Sequence, residues 1–77
     1  MKKDLEGKSC SAVRVLVHNE APNSLKIWPG MPGQIKEVRE KSAYYPWDHA
    51  QVSFPVEGIE LNFIFPLHLI GQYVEIE

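Results

Sequence analysis

Apolar and polar residues alternate in several short segments of this chain, a pattern typical of half-buried β-strands. The first such segment is 12–18, in which every second residue is a valine. Side chains of a strand point alternately to opposite faces. We therefore expect a first strand from Ala12 to His18, with an inward face that carries Val13, Val15 and Val17.

A proline- and glycine-rich turn, Pro29–Gly33, leads into the second predicted strand, Gln34–Val38. Its two apolar residues, Ile35 and Val38, are three positions apart, so a strict two-residue period fails. An extra residue in one strand of an antiparallel pair would restore both to the same face. We predict a β-bulge or a sharp coil here, with a short helical turn as the alternative.

Two strands with regular alternation follow, joined by the four-residue connection Pro55–Gly58. The third strand is predicted over Ala50–Phe54, with Ala50, Val52 and Phe54 inward. The fourth is predicted over Ile59–Phe65, with one face formed by Ile59, Leu61, Phe63 and Phe65.

The end of the chain predicts a 3₁₀ turn and a last strand. Pro66 lacks a backbone donor and cannot continue a central strand, so we expect Leu67 and Ile70 to cap the core from a 3₁₀ turn. Tyr73–Ile76 then forms a fifth strand, whose free edge is available for pairing with another copy of the chain.

Together these elements predict an all-β fold, a small five-stranded SH3-like barrel with a 3₁₀ turn before the last strand. We expect residues 1–11 to form a flexible N-terminal segment and residues 12–77 to form the barrel domain. Two long connections separate the first three strands. In the first, the turn cluster at 19–24 is followed by Leu25 and Ile27, which we expect to fold back onto the barrel.

The composition of the chain indicates its size class and its cellular compartment, but it does not identify a function. The 77 residues suffice for one domain, and the formal net charge of −2 argues against strong nonspecific binding of nucleic acid. A single cysteine, Cys10, favours a reducing compartment. The N-terminus lacks the apolar core of a secretory signal, and Pro66 and His68 interrupt the longest apolar stretch. We expect a cytoplasmic protein without a membrane span.

The turn 30–33, the strands at 34–38 and 50–54, and the segment 65–76 resemble the SH3-like barrel. Within that fold, the His18–Pro22 segment and the Gly30–Gly33 turn resemble the variable chain of ferredoxin–thioredoxin reductase. The valine-rich first strand, Tyr45-Pro46 and the acidic last strand resemble the E subunit of photosystem I. The resemblance implies a noncatalytic subunit that supports an electron-transfer partner.

Aromatic residues on the two long connections are the leading candidates for a binding site. Trp and Tyr are enriched among interface hot spots, and aromatic grooves bind polyproline segments. The alternative is that one tryptophan closes the barrel while the tyrosines cover a loop. The candidates are Trp28, Tyr44, Tyr45 and Trp47.

Positively charged residues offer a second candidate surface. A basic stripe would steer an acidic protein partner or, as the alternative function, a nucleic acid bound by a small barrel domain. Interleaved Glu37 and Glu40 favour an ordinary solvated face instead. The predicted stripe comprises Arg14, Lys36 and Arg39, with Lys26 and Lys41 as further members.

No pattern of catalytic or metal-binding residues stands out. His18, His49 and His68 are widely spaced, whereas a metal site needs three or four converging ligands. An acid–base couple of Asp48 and His49 is disfavoured, because adjacent strand residues point to opposite faces. Nothing near Cys10 would activate its thiol. The sequence therefore predicts a noncatalytic interaction or accessory protein without a cofactor.

Overall fold

The computed structural model describes residues 3–18 and 25–77, which form an antiparallel β structure with two 3₁₀ segments. The 3₁₀ segments are Lys3–Leu5 and Leu67–Gln72. The strands are β1 (Ser9–Ala12), β2 (Leu16–Val17), β3 (Lys26–Ile27), β4 (Pro32–Arg39), β5 (His49–Val56), β6 (Ile59–Pro66) and β7 (Val74–Ile76). The described part of the chain contains no helix long and apolar enough to cross a membrane.

Strand β1 lies inside the main sheet, whose order is β6-β5-β4-β1-β7. It pairs antiparallel with β4 on one side and with β7 on the other. The sheet therefore begins within the segment 1–11 that the sequence placed outside the domain. Strand β7 is an edge strand of this sheet, in agreement with the prediction that the last strand lies at an edge.

The small sheet of β2 and β3 continues the pairing of β1 with β4. Ser11 is opposite Pro32 in the first pairing and Leu16 is opposite Ile27 in the second, and the residue numbers of both pairs add up to the same total. Between them, Gly30 N–H donates to the Ala12 carbonyl at 2.8 Å. The two pairings therefore share one register and form the two ends of a long hairpin, residues 9–17 against 26–34, although bends at 13–14 and a turn at 29–30 interrupt the strands between them.

The predicted first strand over 12–18 is wrong in its bounds and in its inward face. The buried residues on this arm are Cys10, Ala12 and Leu16, whereas Val13, Val15 and Val17 are exposed. Hydrogen-bonded strand is interrupted at 13–15 between β1 and β2. Alternation of apolar and polar residues defines two faces of a strand but does not show which face is buried. Here Leu16 is on the buried face, because it pairs with the buried residue Ile27.

The predicted bulge in the second strand is confirmed. The register between β4 and β5 shifts between Ile35 and Glu37, so both Ile35 and Val38 are fully buried. The N-terminal turn supplies partners at this irregularity. Ile35 N–H donates to the Lys8 carbonyl at 2.9 Å, and Val38 N–H donates to the Glu6 carboxylate at 2.7 Å.

The connection between β5 and β6 is shorter than the sequence predicted. Both strands extend to a two-residue turn, Glu57-Gly58, and both turn residues have positive φ (49° and 83°). Such a pair of left-handed residues forms the turn whose twist matches antiparallel strands. The expectation of a four-residue connection is wrong because Pro55 and Val56 stay in β5, where they pair with Glu60 and Ile59.

The remaining core residues largely follow the sequence. Ala50, Val52 and Phe54 are fully buried in β5, and Leu61 and Phe65 are buried in β6. Ile59 is an exception, because it lies exposed at the turn. The predicted 3₁₀ turn is confirmed, with buried Ile70 and partly buried Leu67, and Val74 is buried in β7. Leu25 and Ile27 are also buried, as expected, whereas the predicted turn cluster at 19–24 lies outside the described residues.

Gly33 packs directly against the core. A Cβ at this position would lie 2.7 Å from the Phe54 ring and 2.9 Å from the Ser53 carbonyl oxygen. Strand β4 can approach β5 this closely only because residue 33 has no side chain. The glycine that the sequence assigned to a turn thus belongs to a strand and fixes the packing of its largest fully buried neighbour.

We expect Gly33→Ala to destabilise the fold by about 1–3 kcal/mol, the usual cost of overpacking a core. Gly71→Ala is the matched control, because a Cβ there meets nothing within 4 Å and the backbone is not left-handed. The measurement is urea unfolding of both variants and the parent. Equal unfolding midpoints for the two variants would contradict the packing of Gly33 against Phe54.

The contact between Glu6 and Val38 makes stability depend on pH. The Val38 N–H, with help from Lys3, holds the pKa of Glu6 below its ordinary value. The stabilising effect is therefore complete above the unfolded-state pKa of about 4.3 and is lost as pH falls through the lower folded-state pKa. We expect Glu6→Gln to be less stable than the parent at neutral pH, with a difference that shrinks in acid. A difference that stays constant in denaturation curves across this range would contradict the carboxylate's role.

Candidate partner-binding site

The connection 40–48 between β4 and β5 is held in a defined shape by hydrogen bonds. The Asp48 carboxylate accepts the Lys41 N–H at 3.0 Å, and Ser42 N–H donates to the Tyr45 carbonyl at 2.8 Å. The Asp48 carbonyl also accepts the N–H of Leu67 at 2.9 Å. The connection is thereby fixed at both of its ends and joined to the start of the 3₁₀ segment.

Four aromatic rings form a cluster at this connection, two from the connection itself, one from β5 and one from the 3₁₀ segment. Tyr45 meets Trp47 edge to face, with ring centroids 5.8 Å apart, and lies 4.3 Å from the ring of His49. On the other side, Trp47 lies 6.0 Å from the ring of His68. His49 Nδ1 is 2.9 Å from the Trp47 carbonyl oxygen. The Trp47 ring therefore lies between the rings of Tyr45 and His68, and its carbonyl oxygen contacts His49.

Beside this cluster lies an open groove of about 340 Å³. The Trp47 ring forms part of its wall and remains 48% exposed, so that about half of the side chain is available to a ligand. The groove combines apolar surface with a cation and an anion. Its lining residues are Lys41, Pro46, Trp47, Asp48, Leu67 and His68.

The other two aromatic candidates lie apart from this groove. Tyr44 is 97% exposed, and Trp28 follows β3, where its N–H donates to the sulfur of Met31 at 3.1 Å. Among the described residues, neither ring makes an aromatic contact with Tyr45 or Trp47. The structure therefore brings together two of the four predicted aromatic residues.

The three cations of the predicted basic stripe have separate neighbours. The Arg14 guanidinium lies 5.3 Å from the centre of the Tyr73 ring. Lys36 is 3.8 Å from the Glu60 carboxylate, and Arg39 is 3.0 Å from that of Glu37. Both ion pairs are exposed, and two of the three cations therefore have an acidic neighbour at the surface.

Two residues of the cluster, His49 and His68, were considered from the sequence as metal ligands, and His49 also as part of an acid–base couple with Asp48. The described residues contain no group of three or more His, Cys, Asp or Glu that could hold a metal ion. The signal for their actual position is the strand register, which places His49 opposite Pro66 and so brings the start of the 3₁₀ segment to Trp47. That register cannot be read from the spacing of histidines.

A larger groove of about 560 Å³ lies on another part of the surface and is open to solvent. Lys36 and Glu60, which form an ion pair, belong to its wall, and none of its lining residues is aromatic. Cys10 is buried elsewhere, and that burial raises the pKa of its thiol, which disfavours the reactive thiolate. The groove beside Trp47 is therefore the better candidate for partner binding.

No family model, curated protein or solved structure matches this chain.

The position of Tyr45 in the cluster makes stability depend on pH in the alkaline range. Burial raises the pKa of the Tyr45 phenol, and an ionised Tyr73 would add to the effect. The folded protein thus retains this proton longer than the unfolded chain, and the corresponding stability is lost as pH rises above the unfolded value of about 10. We expect Tyr45→Phe to lose less stability than the parent between pH about 8 and pH about 11. The measurement is urea unfolding of both proteins at the two pH values. If the parent and the variant lose the same free energy of unfolding between them, the burial of the Tyr45 hydroxyl is contradicted.

Proposed function

We propose that this chain is a noncatalytic protein-interaction module with an SH3-like barrel fold. In this proposal, the groove beside Trp47 binds an extended segment of a protein partner. The observation that carries the proposal is a half-exposed tryptophan held between the rings of Tyr45 and His68 at the wall of a groove.

The fixed position of Trp47 favours binding. An exposed side chain that must be ordered on binding costs about 0.5–1.5 kcal/mol of conformational entropy. Here the neighbouring rings and the hydrogen bonds of Asp48 restrict the groove before a ligand arrives. Tryptophan in a partly enclosed pocket is also the residue type most enriched among binding hot spots.

The lining of the groove suggests the chemistry of the bound segment. Trp47, Pro46 and Leu67 provide an apolar wall suited to proline rings and aliphatic side chains. Proline-rich segments already adopt the extended polyproline II conformation and therefore lose little entropy in aromatic grooves. Lys41 and Asp48 at the same groove can pair with polar groups that flank such a segment.

The accessory role in an electron-transfer complex is the finer part of the proposal. It is supported by the resemblance of the Gly30–Gly33 turn and the acidic last strand to two families of photosynthetic subunits. The alternative, a nucleic-acid-binding barrel, has less support. The net charge is −2, and Lys36 and Arg39 are already paired with glutamates.

The two tryptophans allow the binding site to be tested directly. The probes are a panel of proline-rich dodecapeptides and, separately, a single-stranded oligothymidylate, each titrated into ¹⁵N-labelled protein. We expect the peptides to shift the indole N–H signal of Trp47 and to leave that of Trp28 unchanged. Trp47→Ala should weaken binding by about 2 kcal/mol or more, the loss expected of a hot spot.

Tyr44→Ala is the matched control, because Tyr44 neighbours the cluster along the chain yet is almost fully exposed. It should retain the parent's affinity. Absence of any peptide-induced shift at Trp47 would reject the groove as a peptide site. Oligothymidylate binding that falls steeply with salt would instead support the nucleic-acid alternative, because phosphate contacts release counterions.

A further inference from the structure

We propose that the outer face of the long hairpin binds a second copy of this chain, related to the first by a two-fold axis. We call this surface the valine–tryptophan face, and it consists of Val13, Val15, Val17 and Trp28. It includes none of the residues that line the groove beside Trp47, so the proposal does not depend on the proposed function.

The face is apolar and open to solvent. Val13, Val15 and Val17 are 44%, 42% and 62% exposed, and Trp28 is 55% exposed. The register places Val17 opposite Lys26 and, extended by one residue, Val15 opposite Trp28. Directly opposite residues in an antiparallel pair have Cβ atoms about 4.5–5.5 Å apart. Val15, Val17 and Trp28 therefore lie on the side of this pair away from Leu16 and Ile27, exposed Val13 precedes them along the chain, and exposed apolar patches mark interaction sites.

The two ends of this face carry opposite charges. Lys26 lies at one end, since it is opposite Val17 and on the side away from buried Ile27. Glu75 lies at the other end, opposite Ser11 in the pairing of β1 with β7 and flanked by buried Val74. Ser11 and Val17, which lie opposite these two charged residues, are six positions apart along the chain, with bends at 13 and 14 between them.

Neither charged residue has an ion-pair partner among residues 3–18 and 25–77. Both charges can therefore pair with groups outside this part of the chain. A second copy is the occupant that this arrangement favours. When the face meets its own copy about a two-fold axis, each residue i that contacts residue j is matched by a contact of j with i.

Antiparallel docking then covers the valines and Trp28 with their counterparts. It also sets Lys26 of each copy against Glu75 of the other. An acidic partner protein would be repelled at the Glu75 end, and a basic partner would be repelled at the Lys26 end. The same surface is attractive at both ends for a copy of itself in the opposite orientation.

The test uses two charge reversals, Lys26→Glu and Glu75→Lys, both at surface positions. Sedimentation equilibrium at low salt measures the dimer dissociation constant. We expect the parent to dimerise and each single variant to dimerise about tenfold or more weakly, since like charges then meet at both ends. An equimolar mixture of the two variants should recover dimers, because every end pairing becomes attractive again.

The double variant Lys26→Glu/Glu75→Lys should likewise recover the parent's dimerisation. Val15→Asp should abolish it by placing a charge in the apolar patch, while circular dichroism checks that the variant is folded. A parent that stays monomeric up to about 1 mM would overturn the proposal. Single variants that dimerise like the parent, or a mixture that stays as weak as its components, would also overturn it.

Discussion

The pairing of β1 with β4 is the interaction on which the rest of this structure depends. It fixes the register of the long hairpin, and the adjoining pairing of β1 with β7 brings the end of the chain to its beginning. On the other side of β4, its pairing with β5 positions Gly33 against Phe54, so that β4 packs closely on the core. Because the side-chain period of a strand is two, a shift by one residue would exchange the buried and exposed faces of the hairpin.

The same pairing separates two surfaces that the sequence treated as one. Trp28 belongs to the hairpin, where it shares a face with exposed valines. Trp47 belongs to the connection before β5, where Tyr45 and His68 hold it beside a groove. The proposed peptide site and the proposed self-association site are therefore distinct, and each has its own tryptophan as a spectroscopic reporter.

Local patterns predicted the parts of the fold in which local chemistry decides the outcome. Ile35 and Val38 three residues apart required a bulge, and Pro66 required the strand to end in a 3₁₀ turn. The inward face of the first strand could not be predicted in this way. Val13, Val15 and Leu16 are all apolar, and only the pairing of Leu16 with Ile27 determines which side is covered.

The candidate site was predicted in part for a similar reason. Tyr45 and Trp47 are close in sequence, so their contact needs only a compact loop. His68 joins them through the long-range pairing of β5 with β6, which no local pattern contains. The identity of the partner depends on surface chemistry that many sequences can supply, and the fold alone does not specify it.

The most direct test of this account is the nuclear Overhauser spectrum of the methyl groups of Val15. The hairpin register predicts contacts between these methyl protons and the indole ring of Trp28, its cross-strand neighbour. Contacts from Val15 to the core residues Val52 or Phe54, with none to Trp28, would show that the valines face inward and would contradict the account.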